Sequence, residues 1–484
     1  MSQSSGSNSI YYTENKYNKL LEYYINSGKI KLNHPLVQPF NADELVVKMN
    51  GSKEKDFWSA LLSEELNRFV YKAADSAEVN FNASVEGDLS FIHSDYFTKR
   101  YALTADANLI GKNIGMSLKL KTDERYKKDD PLFYGNKSVS VYGRAENAYL
   151  VYNTSPLKVF VGRFNSNYGF INEPSMILSS NAYSFDKVGF DLEYKFLKYT
   201  YFLTRLDDVF GGDVRADSLI LRYNRRYLSM HRLDLNISDN FKFGLTEGVL
   251  FGGENQDLLF YYINPVAPFI ETQQNNGGKE YHTDANLITA LDFYFKPMKK
   301  VSVYTQWLID DIDFKKSNRS KFPDRLGYTC KIFLTDYLIE GSQLAFQYNR
   351  INNWTYTSFF NFGNYTFYGK SLGYPFNSFE QYKISADYFG LKKIFFNVTA
   401  YYKRNGEQTL SNYFYALKSK FPMGIVQDII GAEMRGDYFY SNDISAYLLV
   451  GYENCKNSGN VEGINKDQVF IDLNLSWRLT FGKY

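Results

Sequence analysis

The chain is 484 residues long, with 55 Lys and Arg against 53 Asp and Glu and no charged tail. That balance argues against a nucleic-acid partner, and two cysteines, Cys330 and Cys455, are too few for a disulfide framework or a cysteine-rich metal site. Aromatic residues make up 18% of the chain while its mean hydropathy is −0.39, a pairing that arises when apolar and polar positions alternate.

No run reaches the roughly 18 apolar residues of a membrane helix; "LLFYYI" (258–263) is among the longest. The opening "MSQSSGSNSI" lacks the apolar core of an export signal. Residues 1–12 read as a flexible N-terminus. The chain is then either cytosolic or a mature form whose signal has been removed.

Residues 13–76 read as helical. "TENKYNKLLEYYINSG" sets Tyr17, Leu20, Leu21, Tyr24 and Ile25 on one face, with Thr13 as the expected N-cap and Gly28 as the stop. "NADELVVKM" places Asn41 and Glu44 at capping-box spacing. A third stripe runs from Trp58 through Leu62, Leu66, Phe69, Val70 and Ala73.

From residue 77 the period becomes two. "AEVNFNASVE" alternates Ala77, Val79, Phe81, Ala83 and Val85 with polar residues, and "FIDLNLSWRLTF" does the same from Ile471 to Phe481. Hairpins are expected at "KPMKK", "FGLKK" and "YSND". A soluble sandwich also alternates, but its strands average about 5–6 residues, whereas several here run to about ten. No fixed repeat supports a propeller or solenoid. A transmembrane barrel needs strands of about 9–11 residues, apolar outside and polar within, with aromatic girdles at both interfaces. At roughly 22 residues per strand and connection, 77–484 makes about 18 strands, an antiparallel all-β barrel wide enough to need a plug. The helical unit 13–76 is the expected plug.

The sequence has no zinc-protease, P-loop, nucleophile-elbow or dinucleotide-binding motif, and its four histidines do not pair at ligand spacing. No cofactor is expected. Asp310, Asp311 and Asp313 could bind a cation or perform acid–base work, or could simply be a solvated strand end. "RYNRRYLSMHR" gathers Arg222, Arg225, Arg226 and Arg232, which suit either an anionic polymer or a lumen lined with ion pairs. The span 352–376 holds ten aromatic side chains and one aliphatic, Leu372. Trp354, Tyr356, Tyr365 and Tyr368, with Arg350 just before them, could stack on and bond to sugars, while the Phe residues between them would pack inward. The alternative is that all these rings pack on one another and on the plug.

Several motifs in chain order resemble the capsule-assembly family typified by the outer-membrane protein Wzi. They are "YINSGKIKLNHPLVQPFNADELV", "VGRFNSNYG", "LLFYYINPVAPF", "YTQWLIDDI", "RINNWTY" and "GKSLGYP". After "LG" the chain departs, with "LGYPFNSFEQY" where the family pattern has a Gly-Pro-Asp-like step. The resemblance implies a monomeric, non-enzymatic barrel in the outer membrane, among its lipid and lipopolysaccharide, that acts as a lectin holding capsular or extracellular polysaccharide. It also implies a mature chain without its export signal. A porin for oligosaccharides or other solutes is the alternative the same barrel allows.

Overall fold

Alternation decides the architecture, because successive side chains on a strand point to opposite faces of the sheet. The computed structural model describes residues 9–50, 56–71, 79–124, 126, 143–210, 223–254, 258–271, 285–312, 324–358, 360–410 and 420–482. The long strands are β1 (Val79–His93), β2 (Phe97–Gly111), β3 (Ile114–Asp123), β4 (Gly143–Thr154), β5 (Leu157–Arg163) and β6 (Asp186–Tyr194). They continue with β7 (Leu197–Arg205), β8 (Tyr223–Ser238), β9 (Phe241–Glu254), β10 (Ala285–Met298), β11 (Val301–Asp311) and β12 (Arg325–Thr335). The last six are β13 (Ser342–Ile351), β14 (Phe379–Leu391), β15 (Ile394–Asn405), β16 (Gln427–Phe439), β17 (Ile444–Lys456) and β18 (Lys466–Gly482). Each pairs antiparallel with the next, and β18 closes the ring on β1, from Ile471 opposite His93 to Gly482 opposite Asn82. The two-residue strand Val209–Phe210 adds to β8 just beyond the end of its pairing with β7. The barrel of about 18 strands expected from the alternation is the one that forms.

Its polarity is inverted. On β18, Leu473, Leu475, Trp477, Leu479 and Phe481 face outward and exposed, while Asn474 and Arg478 are buried in the lumen. On β1, Phe81 is exposed and its neighbours Asn82 and Ser84 are buried. This is the polarity a barrel needs when lipid takes its outer face. Short turns such as 112–113, 195–196, 299–300 and 392–393 lie at the end where β1 begins and β18 finishes. Long connections, including 164–185 and 352–378, lie at the other end. In barrels of this kind the short turns are periplasmic, which turns the long loops to the cell exterior.

Three helices, α1 (Asn18–Ser27), α2 (Ala42–Asn50) and α3 (Phe57–Leu66), share one core with the inner wall. The face expected for α1 is buried, but so are Glu22, Tyr23 and Asn26, because the helix is enclosed on all sides. Gly28, at φ 82°, ends it as expected. Thr13 does not cap it; Tyr17 holds that position, and the Thr13 hydroxyl accepts from the Asn147 amide at 2.8 Å. Glu44 likewise accepts from the Asn33 N–H (2.8 Å), while Asp56 caps α3 through the Ser59 N–H (2.6 Å). The buried segment reaches upstream of residue 13: Tyr11 pairs with Asn41 and Tyr12 with Phe40, and the Tyr11 hydroxyl donates to Asp191 at 2.7 Å.

Polar side chains of this inner unit answer the polar wall. Asn26 donates to Gln343 (2.9 Å) and accepts from Tyr294 (3.0 Å), Trp58 donates to the Phe389 carbonyl (2.9 Å), and Arg478 grips Glu65 with two bonds of 3.0 and 2.7 Å. At the centre, Lys331 on β12 lies 2.8 Å from Glu22 of α1 and 2.9 Å from Glu173 of the 164–185 loop. Lys383 on β14 and Gln347 on β13 add bonds of 3.0 and 2.8 Å to Glu173. Burial disfavours charge on Glu173, yet Lys331 and Lys383 outweigh it and hold the carboxyl below its ordinary range.

Replacing Lys331 with Met leaves two buried carboxylates short of a partner and should cost about 3–5 kcal/mol. The temperature at which the heat-modifiable gel band shifts should fall; an unchanged temperature would place the anchor elsewhere. Because folding lowers the Glu173 pKa, its stabilisation is complete above about pH 4.5 and is lost as pH drops below that. The same gel temperature should therefore fall on acidification, and by less in Lys331→Met.

Candidate functional site

The exterior end of the lumen is filled by two loops that fold inward. Segment 164–185 rests on the inner unit, Asn167 and Gln38 exchanging backbone bonds of 2.9 and 3.1 Å. Gln306 on β11 holds it from the wall by accepting from the Met176 N–H at 2.6 Å. Segment 352–378 packs on top of it. Ser179 donates its N–H to the Leu372 carbonyl (2.7 Å) and its hydroxyl to that of Gly373 (2.6 Å), and the Asn181 amide donates to Ser371 (3.0 Å). Within 352–378 a small hairpin, Thr366–Phe367 with Lys370–Ser371, turns through Tyr368 at φ 47° and Gly369 at φ 76°. A two-residue turn with both φ positive requires such a pair, and it lifts Tyr368 to the tip.

This packing corrects most of the candidate sugar contacts. Tyr356 and Tyr365 are fully buried with their rings 6.0 Å apart and near parallel, and Trp354 is buried too. Tyr368 alone of the four stays open, at 39% exposure. Of the Phe residues expected to pack inward, Phe362 and Phe367 do so while Phe360 is exposed, and Phe359 lies outside the described residues; the correction therefore falls mainly on Trp354, Tyr356 and Tyr365. For Tyr356 the reason is hydrogen bonding. A loop folded into the lumen buries its own backbone, and a tyrosine hydroxyl can satisfy it where phenylalanine cannot. The Tyr356 hydroxyl donates to the Met176 carbonyl and accepts from the Tyr374 N–H (3.2 Å), while Asp310 accepts from the Tyr356 N–H at 2.7 Å.

The arginines do not form one cluster. Arg225 and Arg226 are neighbours on β8, so Arg225 points out, exposed, and Arg226 points in, buried. Arg226 donates to the carbonyls of Phe362 (2.9 Å), Asn364 and Thr366 (2.9 Å) and pairs with Asp207 at 3.1 Å. Arg232, also fully buried, pairs with Asp234 (2.7 Å) and Asp292 (2.5 Å). Neither reaches a polymer outside. Arg222 and Asp313 lie outside the described residues. Arg350 faces outward, its guanidinium 3.7 Å above the Phe421 ring, away from the buried tyrosines. Among the described residues no three His, Cys, Asp or Glu side chains are placed to hold a metal, and Cys330 and Cys455 are both free thiols.

The structure also assembles a group that sequence reading missed. The Arg144 guanidinium lies 4.6 Å from the Tyr126 ring and 4.9 Å from that of Tyr183, and the Lys370 ammonium stands 4.0 Å over Tyr183. Tyr368 approaches Tyr183 edge-on at 6.4 Å. These residues come from separate connections and from the start of β4, so no sequence spacing marks them. Arg144 also lines a polar cavity of about 570 Å³ on the β1–β4 side, with Glu86, Asp106 and Lys119 deeper in. A second cavity of about 290 Å³ shares Thr13, Glu14 and Asn165 with it.

Residues 68–469 match the family model described as capsule assembly protein Wzi. The chain belongs to the Wzi capsule-assembly family. No curated protein sequence matches it. Its fold is similar to that of Wzi from Escherichia coli, described as an outer-membrane protein involved in group 1 capsule assembly and a carbohydrate-binding β-barrel. That likeness has a TM-score of 0.63 at 11% identity, over 97% of this chain and 99% of the other. OccK10 (OpdN) and OpdQ of Pseudomonas aeruginosa are weaker likenesses, with TM-scores of 0.48 and 0.47 at 10% identity, each over 84% of this chain and 100% and 99% of theirs. This Wzi-family chain is an outer-membrane barrel.

Arg226→Gln should loosen the 352–378 loop, since each charge-assisted bond to a buried carbonyl is worth about 1.5–3 kcal/mol. Limited proteolysis should cut that loop faster in the variant and at the wild-type rate in Arg225→Gln. Equal rates in all three would mean that Arg226 does not hold the loop.

Proposed function

We propose that this barrel is a non-enzymatic lectin that holds capsular or extracellular polysaccharide at the cell surface, through the open Tyr368 ring with Arg144 and Lys370, the two cations being held by the buried rings of Tyr126 and Tyr183. The supporting observation is the pairing of a filled exterior end with one open ring, Tyr368, and two cations, Arg144 and Lys370, gathered at that end. Sugars pack their C–H faces on aromatic rings and offer hydroxyl or carboxylate oxygens to guanidinium and ammonium donors. Tyr368, at the tip of its turn, presents a flat face and a polar edge together. The inner helices act as a plug in this reading.

A channel for oligosaccharides is the second reading, favoured by the polar cavity of about 570 Å³ along β1–β4. The two differ in what they require. Tyr368→Ala should weaken binding of isolated surface polysaccharide about fivefold, the weight of about 1 kcal/mol for one ring contact. Wild-type protein in planar bilayers should stay without steady unitary currents. Unchanged polymer binding together with stable currents would replace the lectin by the channel.

A further inference from the structure

The outer wall of β7–β9 is unlike the rest of the barrel. Many outward positions elsewhere are apolar and exposed, yet here Ser229, Val249 and Phe251, which alternate with lumenal Leu228, Met230 and Leu250, are fully buried. They are covered from outside by residues 258–271. Tyr262 and Phe269 pack with Tyr227, Val249 and Phe251, joined by Leu203 and Leu287. Phe269 stacks on His231 at 4.3 Å, and its N–H donates to Glu247 at 3.2 Å. His231 and Glu247 are themselves an outward-facing polar pair, 2.8 Å apart.

Depth follows from the bonds. The hydroxyls of Tyr201 and Tyr199 donate to the carbonyls of Ile263 (2.7 Å) and Pro265. Both tyrosines stand on β7, which is only nine residues long. A strand needs about 9–11 residues to cross the bilayer, so whatever lies beside Tyr199 and Tyr201 lies at membrane depth. Composition agrees: from Leu258 to Ile270 there is no charged residue and no histidine. Irregular backbone in hydrocarbon must have its polar groups satisfied. Two tyrosine hydroxyls and Glu247 meet it from the wall, Asn264 accepts from the Val266 N–H (3.0 Å), and Pro265 and Pro268 have no N–H to satisfy. On the far side Phe260 and Val266 are each 83% exposed, and outward Val188 on β6 and Trp307 on β11 are exposed as well.

We propose that residues 258–271 form a membrane-inserted strap, laid down the lipid face of β7–β9, whose outer side contacts the acyl chains of outer-membrane lipid. The strap lets a His–Glu pair sit on a lipid-facing wall, because the Phe269 ring and the strap backbone separate it from hydrocarbon. Lipid is the occupant favoured here because the exposed side of the strap carries the same apolar character as the wall around it.

The test places a nitroxide label on Val266→Cys, and separately on Phe260→Cys, in a Cys330→Ser, Cys455→Ser background reconstituted into phospholipid vesicles. Tyr368→Cys serves as the water-exposed reference. The proposal expects the ratio of oxygen to nickel-chelate collisions at both strap positions to exceed the reference by about tenfold, since a polar chelate is excluded from hydrocarbon. A ratio like that of Tyr368→Cys would put the strap in water and overturn the proposal. Low collision with both reagents and spin–spin broadening would overturn it too, in favour of a second copy of the chain. Should the labelled variants fail to fold, a lipid-borne photoreactive carbene on wild-type protein must modify 258–271; absence of modification there, with modification of neighbouring outward positions, rejects the strap.

Discussion

Lys331 projects from the wall into the lumen with Glu22 of α1 on one side and Glu173 of the 164–185 loop on the other, 2.8 and 2.9 Å away. A barrel in lipid turns its apolar side outward and so lines its interior with groups that need partners. Water could supply them, and in an open pore it does. Here the chain supplies them itself, and a charge so deeply buried is tolerated only when it is paired. One side chain thus joins wall, inner helix and exterior loop, and Lys383 and Gln347 complete the set around Glu173. The next layer depends on this one. The 164–185 loop gives Ser179 and Asn181 to the 352–378 loop, and Arg226 secures that loop from the other side.

What was legible in the sequence follows from periodicity. The alternation from Phe81 to Phe481 specified the barrel, because one face of every strand meets lipid and the other does not. The apolar faces of the helices and the stop at Gly28 were readable for the same reason: they are local. Inward-folding loops are not local. Tyr, Asn and Gly suit a loop that meets sugar, and they equally suit one that must satisfy its own buried backbone, as Tyr356 does. The arginines were partly readable, since adjacent strand residues must face opposite ways and Arg225 and Arg226 could never have shared a surface. Glu173, Lys331 and the group around Arg144 and Tyr183 carried no signal, because their partners are distant in the chain and close only in the fold.

Function divides along the same line. The family and the barrel come from the whole chain, whereas the proposed binding rests on a few side chains at its exterior end. Aromatic rings near cations can hold a polymer by many weak contacts along its length, and loops braced against an inner unit lose little freedom when they do so. Transport would ask the opposite of the same residues, namely that the braced layers part and let solute through. The stacked order of helix, first loop and second loop therefore bears on the choice more than the barrel does.

The central claim is retention of polysaccharide at the surface, and removing the gene from the cell that carries it tests this most directly. Polymer should still be made in the wild-type amount but be found in the medium, with little left on the cells. A mutant that keeps its polymer on the surface and loses uptake of a solute instead would contradict the account.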